Sequence, residues 1–211
     1  MMYFVMTCDI VHSKEVTNRL EVQEELKTVI KQINIDYSKK IMSPFIIVWG
    51  DSFQGVLKEL TDFYSIFERL EEDLSFKFRC GLGIGTISTK FSRKSLEMDG
   101  LAFHRSRAAL KIASDNRRTA WIQSENDSFD QLTNSLLTLL TTLKLQWTNR
   151  QKEVIHLRKQ GLTYEKIGKK IITEKEENIT KQAVSNILKS AHWEEISLAI
   201  ETLNKLSYPK C

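Results

Sequence analysis

Apolar positions along this chain alternate between short runs and longer stretches with a 3.6-residue period. The first run, "YFVMTC" (residues 3–8), has β-branched and aromatic content and predicts a buried strand ending on Asp9. Residues 18–38 then place Leu20, Val22, Leu26, Val29, Ile30 and Ile33 at helical spacing, with Asn18 positioned as an N-cap. After Pro44, "FIIVWGDSFQGVLKE" reads as two strands flanking a Gly50-Asp51 turn, a hairpin. Residues 61–74 predict a helix with Phe63, Ile66, Phe67 and Leu70 on one face. "FKFRCGLGIGTIS" (76–88) predicts a strand whose three glycines mark a close backbone approach. A helix over 100–114, a strand in "RTAWIQS" and a long helix over 129–147 complete the series.

The resulting order, β-α-β-β-α-β-α-β-α, points to one sheet covered by helices, an α+β domain. From about Trp147 strand signals give way to short basic helices. The domains expected are therefore residues 1–146 and 147–211.

Composition adds limits. With 41% hydrophobic and 27% charged residues and two prolines, the 211-residue chain is of soluble globular type. No apolar run approaches the roughly 20 residues of a membrane span. The N-terminus lacks the basic region and cleavage site of a signal peptide. Cys8, Cys80 and Cys211 are odd in number, far apart and without metal-ligand spacing, which suggests reduced packing thiols and a cytoplasmic location. Residues 1–146 carry 19 Lys+Arg against 19 Asp+Glu, whereas residues 147–211 carry 12 against 8. The whole net charge of +4 thus lies in the second part, a hint of an anionic partner there.

Two acids, Asp9 and Asp51, each end an apolar strand. If those strands are neighbours, the carboxylates converge at one sheet edge. Mg²⁺ or Mn²⁺ favours such a place, with one or two carboxylates, a backbone carbonyl such as that of Ile10, and phosphate oxygens. "CDIVHS", "GDSFQG", "RCGLGIGTIS" and "GLAFHRSRAAL" together resemble, in order and over about residues 3–123, the palm domain of class III nucleotide cyclases. "CDIVHS", "GDSFQG" and "GLAFHRSR" are closest to the SatD family, small proteins that join such a region to a helix-turn-helix.

The resemblance implies a ferredoxin-like palm fold, a metal pair at Asp9 and Asp51, a nucleotide ligand and a homodimer. It also implies an Asn and an Arg four and eight residues after the glycine that opens the following helix. Counted from Gly100, those positions hold His104 and Ala108, with Arg107 one residue early and about 100° round the helix. His104 and Arg107 are the candidates for supporting a transition state. Ser13 is either a turn residue or a phosphate neighbour, and Gln54 either strand surface or a ligand contact. Lys111 shares the His104–Arg107 face, which is either solvated or phosphate-binding.

In the basic part, Thr148, Thr163 and Thr180 stand as N-caps of three short helices, and Gly161 ends the first. "RQKEVIHLRKQGLTYEKIG" resembles the helix-turn-helix of sigma factor region four, although "ITEKEEN" before the third helix is longer than the usual turn. Thr180, Lys181, Gln182, Ser185, Asn186 and Lys189 on that helix are candidate DNA contacts. The leading expectation is a DNA-binding regulator whose palm domain takes a nucleotide and a divalent metal. The alternative is a nucleotidyl cyclase or nucleotidyltransferase using two Asp-bound metal ions. A third is a palm that serves only dimerisation.

Overall fold

The N-terminal apolar run forms the strand β1 (Tyr3–Ile10), the middle of a five-stranded sheet. The computed structural model describes residues 1–11, 18–172 and 177–209. After β1 come α1 (Arg19–Asp36), β2 (Ile41–Trp49), β3 (Ser52–Leu57), α2 (Thr61–Asp73), β4 (Phe78–Gly85), α3 (Leu101–Asp115), β5 (Ala120–Gln123) and α4 (Asp127–Leu145). A single 3₁₀ turn at Ser95–Glu97 precedes α3. This is the order that the hydrophobic pattern predicts.

The sheet order is β2-β3-β1-β4-β5. The first four strands pair antiparallel, the arrangement of a split βαβ unit, and β5 adds parallel to β4. The class is therefore α+β with a mixed sheet, as expected.

Alternation along β1 assigns each face. Cys8 lies opposite Phe53 on β3 and Cys80 on β4, and on this side the Phe78 ring packs tilted against Phe53 and edge-to-face against Phe67 of α2. Leu26, Val29, Ile30 and Ile33 of α1 and Phe63, Ile66, Phe67 and Leu70 of α2 are buried. Each such side chain removed from water contributes about 1.5–3 kcal/mol. Val5, Thr7 and Asp9 point to the other face, where Val5 packs with Val56, Met98, Ala102 and Phe103.

On that second face β4 presents Gly81, Gly83 and Gly85, opposite Thr7, Val5 and Tyr3. A methyl group added at Gly81 or Gly83 would enter the backbone of α3 at Ser106 and Leu110, or at Ala102 and Ser106. The glycine row therefore lets α3 lie on the strand at backbone contact, running from Gly85 at its N-terminal end toward Arg79 at its C-terminal end. The buried residues of α3 are Ala102, Phe103, Ser106, Ala109 and Ala113. Leu110 is only half-buried. Asn18 stands at the N-cap of α1 but makes no side-chain capping bond.

Cα packing divides the chain into two compact units, residues 1–138 with 202–211 and residues 139–201. The second unit contains α5 (Asn149–Lys159), α6 (Tyr164–Lys170) and α7 (Lys181–Ser190) and most of α8 (Trp193–Lys205). Its caps obey the sequence pattern. Thr148 and Gln151 form a capping box, Thr163 accepts from Lys166 N and Thr180 from Ala183 N, while Gly161 comes after α5 at φ +79°. Val154, Ile155, Ile167, Ile171, Val184, Leu188 and Ala191 make its core. Trp147 Nε1 donates to Ala191 O at 2.9 Å. No helix among the described residues is long and apolar enough to cross a membrane.

Candidate functional site

Asp9 and Asp51 meet because β3 pairs with β1 and the β2–β3 turn is as short as a hairpin allows. Trp49 pairs with Ser52, leaving Gly50 and Asp51 as the two turn residues. Gly50 adopts φ +56°, which a side chain would resist and a two-residue hairpin requires. Asp9 lies opposite Ser52, and Ile10 N–H donates to Asp51 O at 3.2 Å, tying the strand end to the turn. The Ile10 side chain is buried.

The Asp9 carboxylate is under electrostatic tension. Its Oδ1 is buried and has no hydrogen-bond partner among the described residues. Burial pushes its carboxyl above the ordinary aspartate range, Arg79 draws it back, and Asp51 adds to the rise. An unmet buried carboxylate oxygen next to a second carboxylate is an arrangement a cation would relieve. Among the described residues no group of three His, Cys, Asp or Glu converges. The donor set thus suits Mg²⁺ or Mn²⁺ completed by phosphate and water, not an all-protein cage.

Sequence reasoning misses Arg79, which lies opposite Asp9 on β4. Val11 N–H donates to Lys77 O at 2.9 Å, one step beyond the Ile10–Phe78 pair. Alternation then makes Asp9–Arg79 a hydrogen-bonded pair and Cys8–Cys80 a non-hydrogen-bonded one. Arg79 Nη1 donates to Ser114 Oγ in the last turn of α3 at 3.1 Å. The signal available in the sequence was a charged residue between Phe78 and Cys80 in an apolar strand.

Gln54 is 6% exposed and belongs to the interior. Its amide oxygen lies 3.2 Å from Thr7 Oγ1, which is 2.9 Å from Ser106 Oγ, and Ser106 Oγ donates to Phe103 O. Three contacts share two hydroxyl hydrogens. Turning the Gln54 amide over, so that Nε2 donates to Thr7, gives each contact its own hydrogen. The side chain thus joins β3, β1 and α3.

His104 and Arg107 do not reach the acids. They gather on Asp99 before α3, with His104 Nε2 and Arg107 Nη2 3.5 and 3.6 Å from Asp99 Oδ1. His104 Nδ1 is also 3.1 Å from Arg107 Nη2. The Gly100 backbone N–H, then the two basic side chains, hold the Asp99 carboxyl below its usual range. Asp9 belongs to the Ser114 end of α3, ten residues from His104 and so roughly 15 Å along the axis. Lys111 is exposed and pairs with Asp115 at 2.9 Å. Ser13 lies outside the described residues.

The sequence model of the SatD family matches residues 3–200. This chain belongs to the SatD family. No curated protein matches it. Among solved structures, this SatD protein is similar to nucleotide cyclase and GGDEF domains. One is the catalytic core of a rhodopsin-guanylyl cyclase with converted specificity in complex with ATPαS, at 14% identity, TM-score 0.36, with 52% of this chain and 71% of that one covered. The guanylyl cyclase Cya2 is 8% identical, TM-score 0.37, with 53% and 70% covered. The GGDEF domain of YfiN from Pseudomonas aeruginosa is 17% identical, TM-score 0.38, with 59% and 77% covered.

In the second unit of the SatD chain, Lys181, Gln182, Asn186 and Lys189 are exposed on α7, opposite buried Val184 and Leu188. Gln182 Nε2 donates to Asn186 Oδ1 at 3.1 Å. Ser185 is half-buried, and the Thr180 hydroxyl is committed to capping the helix.

Proposed function

We propose that this SatD protein binds a nucleoside triphosphate with Mg²⁺ or Mn²⁺ where β1 ends beside the β2–β3 turn, and acts on it as a nucleotidyl cyclase or nucleotidyltransferase. The observation that carries this is the buried Asp9 Oδ1, left without a partner among the described residues, one residue from the contact with the Asp51 turn. Asp9 and Asp51 would hold the cation, with the Ile10 carbonyl as a further candidate donor. A divalent ion there supplies charge stabilisation at phosphoryl oxygens and orientation of the triphosphate. The chain's own contribution is to hold both carboxylates at fixed separation on paired strands and to exclude water from one of them.

Thermal unfolding against a panel of nucleotides with Mg²⁺ or Mn²⁺, followed by chromatography of each triphosphate after incubation, tests the reading. A ligand at a hundred times its Kd adds about 2.7 kcal/mol, a Tm rise of roughly 5–10 °C for a chain of this size. The expected result is a metal-dependent rise with one nucleotide, lost in Asp9→Asn/Asp51→Asn, and a new product from that nucleotide. No rise with any nucleotide overturns it.

A second reading, a DNA-binding regulator, draws support from the polar exposed face of α7 within a basic helical unit. Lys181, Gln182, Asn186 and Lys189 would meet the DNA, and a homodimer would set the spacing of two such helices. Gel shifts across a salt series, together with sedimentation, test it. Absence of any salt-dependent shift discards it.

A further inference from the structure

Both edges of the five-stranded sheet are guarded by an asparagine from a neighbouring helix, but not equally. At the β5 edge, Asn134 of α4 commits its whole amide to Ile122, accepting from its N–H at 2.7 Å and donating to its carbonyl at 2.8 Å. Two residues on, Asp130 accepts from Ser124 N–H at 2.7 Å. The outward backbone groups of that strand are met one after another. At the β2 edge, Asn34 of α1 serves Phe45 in the same way, accepting from its N–H at 2.8 Å and donating to its carbonyl at 2.9 Å. There the cover stops.

The next outward position is Ile47. Ile10 N–H bonds to Asp51 O, so by alternation Phe53 turns its backbone groups to β1 and Gln54 turns its own to β2. Gln54 is opposite Ile46 and Phe53 opposite Ile47. Ile47 therefore points its N–H and carbonyl away from the sheet. Among the described residues no side chain takes the place there that Asn34 takes at Phe45. Alongside runs a groove of about 500 Å³ between α1 and β2, lined by Ile30, Ile35, Ile46 and Ile47 with Lys27 and Lys31. Lys27 pairs with Glu24 at 2.7 Å, whereas Lys31 has no ion pair among the described residues.

An unpaired strand edge beside an apolar groove is a template for an added strand, in which main-chain bonds supply affinity and alternate side chains enter the groove. The lysines select the partner. Pairing with β2 of a second copy would gather the lysines of both copies, and like charges across a strand pair destabilise it. Acidic side chains would meet Lys31 and Lys27 instead. Pro44, exposed at the irregularity between Ser43 and Ile46, has no N–H to donate, so the added strand is short.

We propose that the β2 edge at Ile47, with the groove along α1, is a docking site for a short extended segment of a partner protein in which apolar and acidic residues alternate. The site uses none of the residues assigned to the nucleotide or to DNA.

The test is binding of the full chain to an array of synthetic peptides in which an apolar residue alternates with glutamate, and to a matched array with lysine in place of glutamate. Binding is expected in the glutamate array alone. N-methylation of alternate amides in the best binder should lower its affinity at least tenfold, because the paired donors are gone. Lys27→Glu/Lys31→Glu should lose the glutamate peptides and take up lysine peptides. With the best binder present, exchange of the Ile47 amide hydrogen should slow at least tenfold. Ile47→Pro removes an N–H that the sheet does not use, and this variant, folded by circular dichroism, should lose the peptide. If it fails to fold, the Ile47 exchange rate in the wild type decides.

No binder in the glutamate array, equal binding of both arrays, indifference to N-methylation or an Ile47 amide unaffected by peptide each overturns the proposal. So does a dimer seen by sedimentation that protects Ile47 without any peptide, since the edge would then belong to a second copy.

Discussion

The two ends of α3 hold two polar clusters of similar composition and opposite character. At its N-terminal end Asp99, His104 and Arg107 are exposed and satisfy one another. At its C-terminal end Asp9, Asp51 and Arg79 lie partly inside the fold, and Asp9 Oδ1 has no hydrogen-bond partner among the described residues. Water screens the first cluster, so its charges gain little from each other and ask for nothing more. The second is half removed from water and left incomplete, which costs stability unless a ligand completes it. Incompleteness under burial, more than the number of charged residues, separates the candidate site from a solvated surface.

The largest expected effect comes from moving α3 as a whole. Gly83→Val would drive a side chain into the backbone of α3 at Ala102 and Ser106, and we expect a loss of more than about 3 kcal/mol or failure to fold, read by denaturant unfolding. Gly50→Ala at φ +56° meets open space and should cost only about 1–2 kcal/mol, the strain of that backbone conformation. Equal effects at the two glycines would refute the account of α3 packing.

Next in size is the contrast between clusters. His104→Ala/Arg107→Ala should leave the metal-dependent rise of Tm within about 2 °C of wild type, while Asp9→Asn removes a rise of roughly 5–10 °C. Loss of the rise in both variants would mean that the N-terminal cluster reaches the nucleotide after all.

A smaller effect of unusual sign is expected without metal. Burial raises the Asp9 carboxyl above its ordinary value of 3.8, so the folded chain holds that proton more tightly than the unfolded one. Its stability contribution is present below the ordinary value and is lost as pH rises through the raised one. In EDTA at pH 7, Asp9→Asn should therefore have a higher Tm than wild type, and the part of the pH slope just above 3.8 should vanish. A lower Tm would show that the carboxylate serves structure.

Least dramatic is the thiol pair on the opposite face. Cys8 and Cys80 are fully buried side by side, and burial first, then the neighbouring thiol, pushes Cys8 well above the usual thiol range. Neither should react with a thiol reagent in the native protein over hours, whereas both should react promptly in denaturant. Rapid native labelling would place them at a mobile strand.

Much of this was legible in the residues because its causes are local. Period and turn chemistry mark the nine elements of the sheet region, the Gly50-Asp51 hairpin and the three threonine caps. Asp9 and Asp51 were visible as acids that end strands. The sequence by itself thus determined the elements, their order and the two carboxylates. Only the tertiary structure decided which polar groups share a neighbourhood. It turned Gln54 inward to Thr7 and Ser106, carried His104 and Arg107 to the far end of α3, and set Arg79 across from Asp9. Those placements depend on strand register and on the line that α3 takes over Gly81, Gly83 and Gly85, pairings between residues tens of positions apart that no local pattern encodes.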